Sequence, residues 1–157
     1  MNNYKTRKII TREFTMKLVY QLIINNENID NVEILAKKFI NDNEEYIAQR
    51  YNEITKEQID SYSLNLDYIK VILNTIKFED ENICDLINKH AKNWSVNRMP
   101  KVDLAILKVA ICEIMKLDEI PFKVSINEAI ELSKLYCDEK SHKFINGILG
   151  SILNEFK

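Results

Sequence analysis

Residues 121–149 read PFKVSINEAIELSKLYCDEKSHKFINGIL, and the fold class turns on them. Two amphipathic helices meet there at a short polar corner, Cys137-Asp-Glu-Lys140. Beyond the corner Phe144, Ile145, Ile148, Leu149, Ile152, Leu153 and Phe156 form one apolar stripe at helical spacing. The only two glycines of the chain, Gly147 and Gly150, both fall in that last helix. A glycine inside a helix costs about 1 kcal/mol against alanine, so both are expected to permit close packing or to leave room for a ligand backbone. None remains elsewhere to cradle a phosphate, which excludes glycine-fingerprint nucleotide enzymes. With only two prolines as well, the chain reads as all-α.

Working outward, residues 101–117 are apolar on nearly all sides, as a central buried rod would be, and Pro100 suits its first turn. Glu113 lies in that rod, where an unpaired carboxylate would be costly, so a partner at a helix seam is expected. Residues 66–78 and 82–92 read as two further helices, and 8–25 as the first, with Ile10, Phe14, Leu18 and Leu22 every four residues. Asp30 followed by Glu33 looks like a helix start. Thr55 to Gln58 and Ser125 to Glu128 have the form of capping boxes, and Ser141 is placed to cap the last helix.

The 157 residues suffice for one domain, or for two small bundles sharing a core. Three cysteines, Cys84, Cys112 and Cys137, are widely spaced and match no zinc pattern with His90 or His142, so reduced thiols in a cytoplasmic protein are expected. No apolar run approaches the roughly 18 residues of a membrane span. Net charge is −2 but unevenly placed. Residues 1–24 hold five basic groups (Lys5, Arg7, Lys8, Arg12, Lys17) against Glu13, whereas residues 25–67 hold four basic and ten acidic groups. A basic head of this kind suits a polyanion, and a solvated helix start explains it equally.

A helical di-iron site needs a Glu-x-x-His motif on each of two helices and the sequence holds that spacing once, Glu139 to His142, so the acid clusters Glu44/Glu45, Glu79/Asp80/Glu81 and Glu128/Glu131 read as solvated faces. Ser141-His142 lacks an oxyanion hole and is no nucleophile pair. Lys143 and Phe144 place a cation and an aromatic ring at a helix N-terminus, a phosphate contact and a stacking face for single-stranded nucleic acid. Plain core is the other reading of Phe144. Tyr20 is either core or stacking platform.

Together these stretches resemble the NusB family of transcription antitermination factors. The resemblance rests on VSINEAIELSK (124–134) with SHKFINGIL (141–149), on DLAILKVAICE (103–113), on IPFKV (120–124), and on Thr11-Arg-Glu13 through Leu18-Val-Tyr-Gln21. It covers roughly residues 5–24 and 98–153 and leaves 26–65 largely unmatched. It implies about seven helices in two packed bundles forming one RNA-binding domain, roughly 1–92 and 93–157, with no catalysis and no cofactor. It further implies binding of boxA single-stranded leader RNA with the ribosomal protein NusE, in a complex that carries RNA polymerase past terminators on ribosomal RNA operons. The RNA contacts it implies are Lys5, Arg7, Lys8, Arg12, Tyr20, Asp103, Lys143 and Phe144: cations for phosphates, aromatics for bases, and a carboxylate for a base amino group.

Two departures stand out. Ile9-Ile10 interrupts the arginine-rich arm common in the family, which implies weaker phosphate anchoring and more dependence on NusE. Lys140 stands where some members carry an acid and adds charge beside Lys143. Two other readings are weighed. Some ribosomal RNA cytosine methyltransferases carry a NusB-like domain, but 157 residues are expected to leave no room for a cofactor fold in the same chain. A homodimeric structural protein with Lys143 and Phe144 at the subunit seam is the other.

Overall fold

The computed structural model describes residues 3–57, 59 and 61–156, and among them there are seven helices and no strand. They are α1 (Asn3–Asn25), α2 (Val32–Asp42), α3 (Glu44–Ile54), α4 (Leu66–His90), α5 (Lys101–Lys116), α6 (Phe122–Tyr136) and α7 (Glu139–Leu153). Two apolar clusters form the interior. One joins Ile10, Phe14, Leu18 and Leu22 of α1 to α2, α3 and the first half of α4. The other joins Met16 and Val19 of α1 to Ile83 and Ile87 of α4 and to α5, α6 and α7. Helix α1 therefore buries two faces at once, which is why its apolar stripe is wide rather than sharp. Helix α5 packs on α1, α4, α6 and α7, which makes it the buried rod its composition suggested.

Several local readings change in three dimensions. Helix α1 begins by Asn3, not at residue 8, because Thr6 and Ile10 are buried and hold the first turns down. The segments 66–78 and 82–92 are one helix bent at Glu79, whose backbone leaves helical geometry at φ −129° and ψ 17°. The acids at that bend are not merely solvated: Glu79 pairs with Lys116 at 2.7 Å and Asp80 with Lys108 at 2.6 Å, tying the bend to α5. Asn31, one residue after Asp30, caps α2 by accepting from the N–H of Ile34 at 3.0 Å.

Neither of the two capping boxes expected from sequence opens a helix. Thr55 follows α3 rather than opening a helix, and its hydroxyl accepts from the N–H of Glu57 at 3.1 Å. Gln58 lies outside the described residues. The next helix waits for Asn65, which caps α4 by accepting from the N–H of Tyr68 at 3.1 Å. Helix α6 starts directly after Pro121, so Ser125 is a buried interior residue. Asp138, not Ser141, caps α7, accepting from the N–H of Ser141 at 3.1 Å. Ser125 and Ser141 fit the pattern but give their hydroxyls to Glu113 and Asp103, whereas Thr55 bonds locally and has no helix directly after it.

Gly147 and Gly150 are exposed, and a Cβ added at either meets nothing within 4 Å. Close packing is therefore not their role. Gly147→Ala and Gly150→Ala should each raise the unfolding free energy by about 0.5–1 kcal/mol, the helix-propensity difference alone. Urea denaturation measures this, and a loss of stability in either variant would contradict the open surface described here.

Candidate nucleic-acid interface

A buried polar knot joins four helices beneath the basic end of α1. Arg12, 6% exposed, grips Glu113, 0% exposed, through Nε to Oε2 at 2.6 Å and Nη2 to Oε1 at 3.0 Å. The hydroxyl of Ser125 donates to Oε1 at 2.9 Å, and the Tyr68 hydroxyl donates to Oε2. Glu128 stands 3.8 Å from the far side of the guanidinium. Burial opposes the charge on Arg12, but the hydrogen bonds and charge of Glu113 outweigh it and raise its pKa. The carboxylate expected to need a partner has three.

Above this knot, Lys5, Arg7 and Lys8 are exposed on the first turns of α1. Arg7 donates from Nη2 to the carbonyl of Leu64 at 3.3 Å, and the Lys8 ammonium sits 4.4 Å from the centre of the Tyr4 ring. Two clefts flank them. One of about 260 Å³ is lined by Tyr4, Lys8, Asn65, Asp67, Tyr68 and Ile120, and one of about 350 Å³ by Lys5, Lys8, Ile9, Glu119, Val124 and Glu128. Arg12 reaches the floor of both.

At the opposite end, the starts of α5 and α7 are tied together. Asp103 is buried and accepts from the Ser141 hydroxyl at 2.7 Å. Burial, then the hydrogen bond and charge of Asp103, push the neighbouring Cys137 thiol up to about 12. Burial raises Cys84 and Cys112 as well, so all three thiols stay protonated and unreactive. His142 donates from Nε2 to the carbonyl of Ser133 at 3.1 Å, a brace between α7 and α6. Lys143 is exposed; Phe144 is half-buried against the core and meets the ring of Trp94 at 5.8 Å between centroids, tilted 56°. Among the described residues no group of His, Cys, Asp and Glu is placed to hold a metal, and no helix is long and apolar enough to cross a membrane.

Comparison with known proteins follows this architecture closely. Residues 9–154 match the NusB family. The chain belongs to the NusB family. It is 40% identical over 148 residues to the transcription antitermination protein NusB of Clostridium kluyveri, covering 94% of this chain and 95% of that one. The Clostridium botulinum NusB is 39% identical over 147 residues, covering 91% of this chain and 96% of the relative. T. maritima NusB superposes with a TM-score of 0.67 at 30% identity over 96% of this chain and 91% of its own. The NusB fold also recurs, at a TM-score of 0.65 and 23% identity over 99% of both chains, in a structure of the antitermination factors NusB and NusE with double-stranded RNA.

Set on the NusB fold, the eight residues singled out from sequence divide into two ends and two depths. Lys5, Arg7 and Lys8 lie at one end, and Asp103, Lys143 and Phe144 at the other. Tyr20 is on α1 but twelve residues past Lys8, about 18 Å along the axis and about 120° round it. Arg12 and Asp103 are turned inward to protein partners, while Lys8 and Lys143 stay in solvent. The α7 N-terminus offers less to an anion than its position suggested, since Asp138 already caps it and Glu139 occupies its first turn. Trp94 is not among the residues singled out from sequence. The clue available was a lone tryptophan in a polar setting, Lys92-Asn-Trp-Ser95.

The two arginine-arm cations should therefore behave differently. Arg12→Ala leaves Glu113 buried without its counter-charge and should cost about 3–5 kcal/mol of stability. Lys8→Ala should stay within about 0.5 kcal/mol. Urea melts of the two variants decide it, and near-equal losses would refute the division.

Proposed function

We propose that this chain is a transcription antitermination factor that binds boxA-type single-stranded leader RNA together with the ribosomal protein NusE, acting on RNA polymerase at ribosomal RNA operons. Family membership supports the antitermination role, and the named partners of the fold relative support NusE and RNA. The reading is of a binding protein rather than an enzyme.

The observation that carries the RNA reading is the surface at the start of α7. Lys140 and Lys143 make no ion pair among the described residues, and the exposed ring of Trp94 meets Phe144, the residue after Lys143. Lysines hold phosphates without reading sequence, and aromatic faces take unpaired bases, so this surface suits a single strand rather than a duplex groove. Lys5, Arg7 and Lys8 supply a second phosphate contact at the other end of α1. A strand touching both would run along the helix. The acidic α3, with Glu44, Glu45 and Glu53 against Arg50, would repel it and so set its lateral limit.

Affinity for a boxA RNA, measured across a salt series with and without NusE, tests this. Lys8→Ala and Lys143→Ala should each weaken binding and each lower the slope of log K against log salt by about 0.7, the loss of one phosphate contact on a single strand. Binding with an unchanged slope in both variants, or no preference for boxA over a scrambled strand, would sink the proposal.

A further inference from the structure

The connection from α4 to α5 holds the chain's single tryptophan out at the surface, 44% exposed. The segment around it is nevertheless firmly built. Ala91 and Met99 are buried on either side, and Asn93 turns the chain with φ at 69°, in the left-handed region where asparagine is among the few tolerated residues. The Trp94 N–H donates to the carbonyl of Ala91 at 3.3 Å, and the Asn88 side chain accepts from the N–H of Val96 at 2.8 Å. The N–H groups of Arg98 and Met99 both donate to the carbonyl of Ser95, at 2.9 and 3.1 Å. An ordered turn thus presents a large apolar ring to water, against the hydrophobic preference of that ring.

Behind the indole stands Phe144. At 5.8 Å between centroids and 56° of tilt the two rings are already in contact, so no flat group fits between them. Phe144 is half-buried against the C-terminal core and meets the indole from that side, while Trp94 keeps 44% of its surface exposed. Lys143, adjacent in sequence to that support, is exposed.

We propose that Trp94 is a base-stacking residue of the RNA surface: its outer face takes one unpaired base, Phe144 positions it from behind, and Lys143 neutralises a neighbouring phosphate. This rests on the RNA-binding reading above and changes the role expected of Phe144 from stacking face to buttress. The ligand it selects is an unpaired nucleobase of any identity, because every base has a π-face and a base inside a duplex has none free.

Trp94 is its own probe, being the only tryptophan. The full-length protein, alone and with NusE, is titrated with boxA RNA while tryptophan emission and filter retention are followed in parallel. RNA should quench the emission. Trp94→Ala should weaken RNA binding roughly ten- to hundred-fold with an unchanged salt slope, since stacking removes no charge, whereas Trp94→Tyr should keep most of the affinity. Circular dichroism of each variant checks that the helices are intact. The wild-type titration and Trp94→Tyr decide the matter even if Trp94→Ala fails to fold. RNA retained on the filter with emission unmoved overturns this inference and leaves the RNA reading standing. So does a quench produced by NusE alone and unchanged by RNA, which would make Trp94 a protein contact. Wild-type protein that retains no RNA, with or without NusE, overturns both.

Discussion

The fork between Arg12 and Glu113 is the constraint on which the arrangement depends. A buried carboxylate has about four acceptor positions, and here Arg12 fills two while Tyr68 and Ser125 take the others. Those partners come from α1, α4 and α6, so one side chain of α5 registers three neighbours. Buried ion pairs add little net stability when well made, because desolvation offsets attraction, but losing one partner is expensive. That asymmetry penalises every alternative setting of α1. The next residue, Glu13, is buried too and is gripped by Arg50 of α3 at 2.7 and 3.0 Å. Adjacent opposite charges thus clamp α1 on two different faces, Arg12 to α5 and Glu13 to α3.

With α1 held in rotation, its surface is decided. Lys5 and Lys8 are left outside at one end, and Tyr20 emerges at the other on a different face. Lys17, between them, is drawn over rings instead, 4.7 Å from the centre of Phe14 and 5.5 Å from Tyr136. The far end has its own tie, the Ser141 hydroxyl on Asp103, which sets the start of α7 against the start of α5. That tie brings Phe144 to Trp94 from the other side of the chain. The RNA surface proposed above is a consequence of these internal bonds, with its aromatic part built from a loop and a helix fifty residues apart.

Much of the fold was legible in the order of residues, and the failures have one physical cause. Period-3.6 apolar stripes located the helices, since burial of one face is the main force that makes them. Glu113 was recognised as needing a partner because the cost of an isolated buried charge is general. What misled were short polar side chains. Ser125 and Ser141 match capping patterns, yet each hydroxyl bonds a carboxylate far along the chain, at Glu113 and Asp103. Glu79 and Asp80 read as solvated until α5 presents Lys116 and Lys108 to them. Gly147 and Gly150 suggested a tight contact that is absent, since glycine signals freedom from a side chain without saying what uses it.

The sequence by itself determined the class of the protein: all-helical, poor in glycine, basic at its head, and a member of a recognisable family. Those properties are sums over local choices, and local choices are written residue by residue. Only the tertiary structure decided which charges remain for a ligand. Arg12 and Lys8 are the same kind of residue at neighbouring helical positions, and one is consumed inside the protein while the other is not. Trp94 gains meaning only once Phe144 stands behind it. The partner of a polar or aromatic side chain is a fact about distance in space, and distance along the chain does not contain it.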